Sequence, residues 1–205
     1  MAGSTTFEGL VIGGERVAAA DGRSFQSINP ATGAAIREVA QGGAEDVDRA
    51  VRAAAAAQAA WAATKPTARA RVLLRWADLL EEHVDELGLL ETRDMGMALG
   101  DARWCVGNAA GILRYYAGAI DKLTGSTIPV DRDGVALTFR EPIGVVGLIT
   151  PWNWPVNQIV LKAIPAMLAG CTCVLKPSEE SPLNAMLFAE FCHDAGIPAG
   201  VFNLV

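Results

Sequence analysis

Between Val145 and Val205 the sequence alternates between two kinds of apolar pattern. Val145–Thr150 is a continuous apolar run, Val156–Ala169 repeats at helical spacing, Thr172–Lys176 is rich in β-branched residues, Leu183–Ala195 is helical again, and Val201–Val205 is apolar and extended. Strand, helix, strand, helix, strand at these lengths predicts a βαβαβ unit. Parallel neighbours need a crossover of about a dozen residues, and strands apolar on both sides must be covered on both faces. Ligands of such sheets bind where strands end and helices begin. Two junctions qualify here: Ile149-Thr150-Pro151-Trp152-Asn153-Trp154-Pro155 and Lys176-Pro177-Ser178-Glu179. Both set polar side chains beside helix amino ends, which favour anionic groups. Neither contains G-x-G-x-x-G or a P-loop. Physical reasoning alone therefore predicts a cofactor-binding α/β module of a glycine-poor type.

The preceding two thirds carry more helix. Residues 9–17 alternate around Gly13-Gly14, a hairpin signal, and Asn29-Pro30 with Gly33 supplies turn chemistry before a strand over Ala34–Ala40. Ala44–Ala63 reads as a helix with Val47, Ala50, Val51, Ala54 and Trp61 near one face. A second helix after Pro66 is predicted to run unbroken through Val72, Leu73, Trp76, Leu79, Leu80, Val84, Leu87 and Leu90, whose spacing of three and four makes a core stripe. A third, over roughly Leu99 to Lys122, packs Trp104, Ala109, Ile112, Tyr116 and Ile120. Ser126–Val130 and Val135–Arg140 flank Asp131-Arg132-Asp133-Gly134, a further hairpin.

Charge and composition narrow the partners. The 205 residues include 17 Lys or Arg against 23 Asp or Glu, a formal net charge of −6, which argues against a nucleic-acid binder. The longest nearly uncharged stretch, Pro142–Leu161, contains three prolines, two asparagines, a glutamine and two glycines, so it cannot cross a membrane as a helix. Met1–Leu10 shows no positive start and no apolar run, so no secretory signal is read and the cytoplasm is the expected compartment. Cys105, Cys171, Cys173 and Cys192 sit in apolar or helical settings. They read as buried small hydrophobes, with spacing that fits neither a disulfide framework nor a zinc site. Because Val201–Val205 reads as a core strand at the very end, a fragment is expected.

Several spaced segments agree in order with one family. INPATGAAIREVA, ETRDMG, LRYYAG, TIPV, EPIGVVGLITPWNWP, GCTCVLKPSE and AGIPAGVFNLV together resemble the NAD(P)-dependent aldehyde dehydrogenase superfamily, from about Gly9 onward, over the first part, less than half, of a complete member. The resemblance implies an α/β fold: an incomplete parallel Rossmann-like sheet with helices on both faces, plus an oligomerisation hairpin. It divides the chain into residues 1–123, the N-terminal hairpin and helical part of the cofactor-binding domain; residues 124–142, the oligomerisation hairpin; and residues 143–205, a βαβαβ half of the NAD-binding domain. The catalytic domain is absent from this division.

The resemblance also implies site residues. Asn153 matches the asparagine whose amide donates to the oxygen that gains charge when a thiolate attacks an aldehyde, a task that needs a preorganised donor. A turn asparagine is its structural alternative. Lys176 and Glu179 match the pair that hydrogen-bonds the adenosine ribose hydroxyls, and the Glu179 carboxylate would repel a 2′-phosphate, favouring NAD while leaving NADP possible. Ile149, Thr150, Pro151, Trp152 and Ser178 would line the cofactor. Lys162 matches a relay lysine behind the active site, with a snorkelling lysine as its alternative. Ser27, Ile28 and Asp94 match positions that bind a monovalent cation in some members, a sensible set of hard oxygen ligands. Leu161 stands where members acting on charged aldehydes carry arginine or tryptophan, so an uncharged aldehyde is expected, with Trp154, Asn157 and Gln158 near it.

The family mechanism further needs a cysteine nucleophile and a glutamate general base, and none of the four cysteines here stands in the nucleophile motif. The implied activity is thus oxidation of an aldehyde to a carboxylic acid with NAD by a homo-oligomer, with this chain inactive alone. A non-catalytic nucleotide- or partner-binding module, and part of a CoA-acylating semialdehyde dehydrogenase, are the alternatives.

Overall fold

The computed structural model of the protein describes residues 7–131 and 133–205. Most of the segment Met1–Leu10, up to Thr6, and Arg132 of the second hairpin's turn lie outside the described residues.

Chain order begins with β1 (Phe7–Glu8), β2 (Leu10–Ile12), β3 (Glu15–Val17), β4 (Ser24–Ile28) and β5 (Ala35–Ala40). The helices α1 (Ala44–Ala63), α2 (Pro66–Glu82), α3 (Val84–Met95) and α4 (Leu99–Ala119) follow, the last closing in a 3-10 turn at Ile120–Lys122. The hairpin β6 (Thr127–Ile128) and β7 (Ala136–Leu137) leads into β8 (Val145–Ile149), α5 (Pro155–Leu168), β9 (Thr172–Lys176), α6 (Leu183–Asp194) and β10 (Phe202–Leu204).

The βαβαβ unit is present as read. β8, β9 and β10 are parallel neighbours, and β2 then adds antiparallel to β10 with β3 outside it, giving the order β3-β2-β10-β9-β8. The sheet is therefore parallel at its centre and edged by the Gly13-Gly14 hairpin, in which both glycines take the positive φ that a two-residue turn requires. A second sheet, β1-β5-β4, lies beside it, with β1 parallel and β4 antiparallel to β5. β1 and β4 were not legible in the sequence, and Ser27 and Ile28, read as the start of a turn, are strand residues.

Helices cover both faces. On one, Ala50 and Ala54 of α1 pack on Val174 of β9. On the other, α5 and α6 pack on Cys173, Leu175, Phe202 and Leu204, with α2 and α4 behind them around Trp76, Leu80 and Leu113. Trp76 lies 4.2 Å from Phe188 between ring centroids.

Three helical expectations are corrected. The α1 valines Val47 and Val51 are exposed; the helix buries Ala50, Ala54 and Trp61 instead, and Val47 borders an open cavity. The single helix expected after Pro66 breaks at His83, whose backbone leaves helical geometry and whose ring packs 4.7 Å from Phe191. Trp104 is 60% exposed rather than packed, on the outer side of α4.

Candidate functional site

The two junctions lie side by side because β8 and β9 are adjacent and parallel. Ile149 and Lys176, the last residues of the two strands, are register partners, and the Thr150 N–H donates to the Lys176 carbonyl at 3.2 Å. A second bond ties the turns together: the Ser181 hydroxyl donates to the Trp152 carbonyl at 3.3 Å. Ser181 is buried and was missed in the sequence, where only its place ahead of Pro182 and α6 hinted at a helix-entry role. The strand tips and their turns thus form one surface.

On that surface Lys176 Nζ donates to Glu179 Oε2 at 2.9 Å and to the Pro177 carbonyl at 2.9 Å. The lysine beside it holds the Glu179 carboxyl below its ordinary range. Both side chains are mostly exposed, so the pair adds little to stability. It presents a cationic donor and an anionic acceptor side by side, suited to a vicinal diol. With Ser178 the pair lines a cavity of about 820 Å³ that also takes in Ile28, Val47, Met186 and Val205.

Ile149, 73% exposed, and the exposed Pro151, Trp152, Asn153 and Trp154 form the neighbouring rim, while Thr150 is buried beneath it. Asn153 stands in the turn between β8 and α5, two residues ahead of the helix. It is exposed to solvent there. Lys162, two turns into α5, is half-buried and donates to Gln158 Oε1 at 2.6 Å, so this lysine has a partner. Leu161 beside it is exposed. Gln158 is half-buried; Asn157 is buried and accepts from Asn108 Nδ2 at 3.2 Å.

Ser27 and Asp94 are brought together away from the strand tips. The Ser27 hydroxyl donates to Asp94 Oδ1 at 2.6 Å, and the Leu183 N–H donates to Oδ2 at 2.8 Å. Burial pushes the Asp94 carboxyl up to about 6 against the pull of these bonds. The β4–β5 ladder is irregular between Ser27 and Ile28. Both Asp94 oxygens are taken by protein donors, and the charge of Arg37 also acts on the carboxyl. Ile28 has an exposed side chain.

All four cysteines are free and buried. Burial raises the thiols of Cys105 and Cys192, and pushes Cys173 up to about 12. Protonated thiols of this kind are poor nucleophiles. A smaller cavity of about 360 Å³, lined by Arg16, Glu190 and His193 among others, lies at the opposite end of β10 from the strand tips.

Known proteins give the same reading. A sequence model of the aldehyde dehydrogenase family matches residues 17–205. An aldehyde dehydrogenase of Enchytraeus buchholzi is 44% identical over 207 residues, covering 97% of this chain and 41% of the relative. Among solved structures, an aldehyde dehydrogenase from Bacillus cereus in its NAD+ complex superposes with a TM-score of 0.94 at 39% identity, over 98% of this chain and 41% of that one. An NADP-dependent enzyme of E. coli also superposes with a TM-score of 0.94, at 38% identity, over 97% of this chain and 41% of its own. The chain thus spans about two fifths of the length of these relatives. With nearly all of its residues matched in both sequence and fold, this chain belongs to the aldehyde dehydrogenase family.

Proposed function

We propose that this chain forms the adenosine-binding and oxyanion-facing side of an NAD-dependent aldehyde dehydrogenase, which oxidises an aldehyde to a carboxylic acid. The observation that carries the reading is the adjacency of two groups: the Lys176–Glu179 pair at the tip of β9 and Asn153 at the tip of β8. NAD, when bound, supplies the acceptor for a hydride. Lys176 Nζ donates to a ribose hydroxyl and the Glu179 carboxylate accepts from one. Each replaces part of the bond the two make with each other. Ile149, Thr150, Pro151, Trp152 and Ser178 shape the wall against which the cofactor rests, and the exposed tryptophan supplies apolar cover.

Asn153 donates its amide to the aldehyde oxygen as negative charge grows there. Donation to a developing oxyanion is worth far more than donation to a neutral carbonyl, and this difference accelerates the step. Lys162, oriented by Gln158, carries a proton behind that point. None of the four buried cysteines stands in the nucleophile motif, and burial raises the thiols of Cys105, Cys173 and Cys192, so the thiolate attack is assigned to a residue outside these four.

The Glu179 carboxylate sets the choice of dinucleotide, because a 2′-phosphate placed against it meets like charge. Thermal unfolding with millimolar NAD or NADP checks this. NAD should raise the melting temperature of the chain and NADP should not. In Glu179→Gln the gap should close, and in Lys176→Ala the NAD shift should disappear. Equal shifts for both dinucleotides in the wild-type chain would contradict the assignment.

A further inference from the structure

Helices α4 and α5 meet at a pair of amides. Asn108 Nδ2, on α4, donates to Asn157 Oδ1, on α5, at 3.2 Å. Asn157 is 1% exposed, and its own Nδ2 has no hydrogen-bond partner among the described residues. Two apolar side chains would close a seam between helices without burying an unpaired donor, which is costly. As packing, then, the pair is a poor choice. Its place is another matter, because Asn157 stands four residues after Asn153. At 1.5 Å of rise per residue that is about one helical turn, or roughly 6 Å.

The seam over the pair is open. Residues three and four apart are neighbours on a helix surface, so Trp104 and Gly111 flank Asn108 on α4, and Trp154 and Leu161 flank Asn157 on α5. Trp104, Trp154 and Leu161 are exposed by 60%, 46% and 45%. Gly111 and the nearby Gly107 are exposed as well, and a Cβ added to either would meet nothing within 4 Å. Asn108 itself is half-buried. One of its N–H groups is committed to Asn157, which leaves its carbonyl oxygen and second N–H for a guest in the seam. The rim is apolar and carries no charge, and the floor is an amide.

We propose that Asn108 is a specificity-determining residue, which reads a hydroxyl on an uncharged aldehyde whose carbonyl oxygen is held at Asn153. Asn108 Oδ1 accepts from that hydroxyl about 6 Å or more from the reacting carbon. The apolar carbons between the two polar ends lie against Trp154 and Leu161. Asn157 is a positioning residue: by drawing the Asn108 NH2 group toward itself, it turns the carbonyl oxygen the other way. An ionised substrate would find no opposite charge on this rim. The inference rests on the reading of Asn153 as oxyanion donor and narrows the substrate of that same site.

The test compares 6-hydroxyhexanal with heptanal, which differ by a hydroxyl in place of a methyl, as substrates of the full-length enzyme with NAD. Wild type should favour the hydroxyaldehyde in kcat/KM by about tenfold or more, the preference expected when one neutral hydrogen bond is lost. In Asn108→Leu the ratio of the two kcat/KM values should fall to about one or reverse. In Asn157→Leu, where the Asn108 amide is free to turn, the ratio should fall as well. Taking the ratio removes differences in folded fraction, since both substrates meet the same enzyme molecules.

Residues that merely pack would lower both activities together. A wild-type ratio retained in Asn108→Leu would therefore overturn the proposal, and so would a wild type that oxidises both aldehydes equally well or favours heptanal. If Asn157→Leu does not fold, Asn108→Leu decides, its position being only half-buried. An enzyme that oxidises neither aldehyde defeats the functional reading and this proposal with it. Oxidation without the preference defeats this proposal alone.

Discussion

Arg69 sits between the carboxyl ends of two helices. Its guanidinium, almost fully buried, donates to the Leu168 carbonyl at 3.0 Å from one side and to the carbonyls of Ala62 and Thr64 from the other. Those carbonyls are the unsatisfied negative ends of α5 and α1, so a cation is held there without a carboxylate. Glu91 is the opposite case, a fully buried carboxyl whose oxygens have no hydrogen-bond partner among the described residues. Burial, and secondarily the charge of Asp94, push its carboxyl from 4.5 up to about 7. A carboxyl raised on folding destabilises the folded state above about pH 7, where it must be ionised, and the penalty is relieved as pH falls toward 4.5, its unfolded value. The shift corresponds to roughly 3 kcal/mol at 1.36 kcal/mol per unit. Urea unfolding at pH 8.5 and 5.5 should show wild type gaining stability relative to Glu91→Gln at the lower pH, by an amount on the order of 2–3 kcal/mol. An unchanged difference between the two proteins across that interval would mean that Glu91 keeps an ordinary carboxyl.

Helix α1 is held by close approach along its middle and by the buried Trp61 near its end, whose Nε1 donates to the Met167 carbonyl at 2.9 Å. Thr172 bonds both the Ala54 carbonyl and Gln58 Oε1 at 3.0 Å, stitching the helix to the start of β9. Gly200, with φ at +82°, lets the chain pass under the same helix; a Cβ there would stand 2.8 Å from the Ala53 carbonyl oxygen. Gly200→Ala combines a strained backbone with that clash and should destabilise by about 1–3 kcal/mol, read as a fall in thermal midpoint. A midpoint equal to wild type would show that α1 does not press on the sheet there. At this scale the sequence was uneven evidence. The bounds of α1, β8 and β9 follow from their periodicity and appear where expected. The break at His83 carries no glycine or proline and is imposed by packing against α6, so no local signal announced it. β4 was hidden because its partner β5 lies beyond an Asn-Pro turn whose chemistry dominated the reading of Ser27 and Ile28. Val47 and Val51 misled for the reverse reason, being apolar yet exposed, with Val47 bordering the larger cavity.

At the scale of the molecule, the central claim joins topology to chemistry. Placing β8 next to β9 in parallel brings two turns, separated by about 25 residues of chain, to one end of one sheet. The two junctions were legible because they stand at strand tips, where polar residues after apolar runs are conspicuous, whereas the roles expected of Asn153, Lys176 and Glu179 came from the family resemblance. Ser181, which bonds across those turns from behind, was not, since a buried serine looks ordinary until its partner is known. The hairpin β6–β7 stands apart from both larger sheets, with Val135 and Phe139 nearly four-fifths exposed around it. No helix among the described residues is long and apolar enough to cross a membrane. The most direct test is to titrate the 15N-labelled chain with NAD and map which backbone amides move. Perturbations gathered on Ile149–Asn153 and Ser178–Glu179, with the amide of Lys176 among them, are the predicted result. Perturbations centred on the Arg16, Glu190 and His193 cavity at the far end of β10, or none at millimolar NAD, would contradict it.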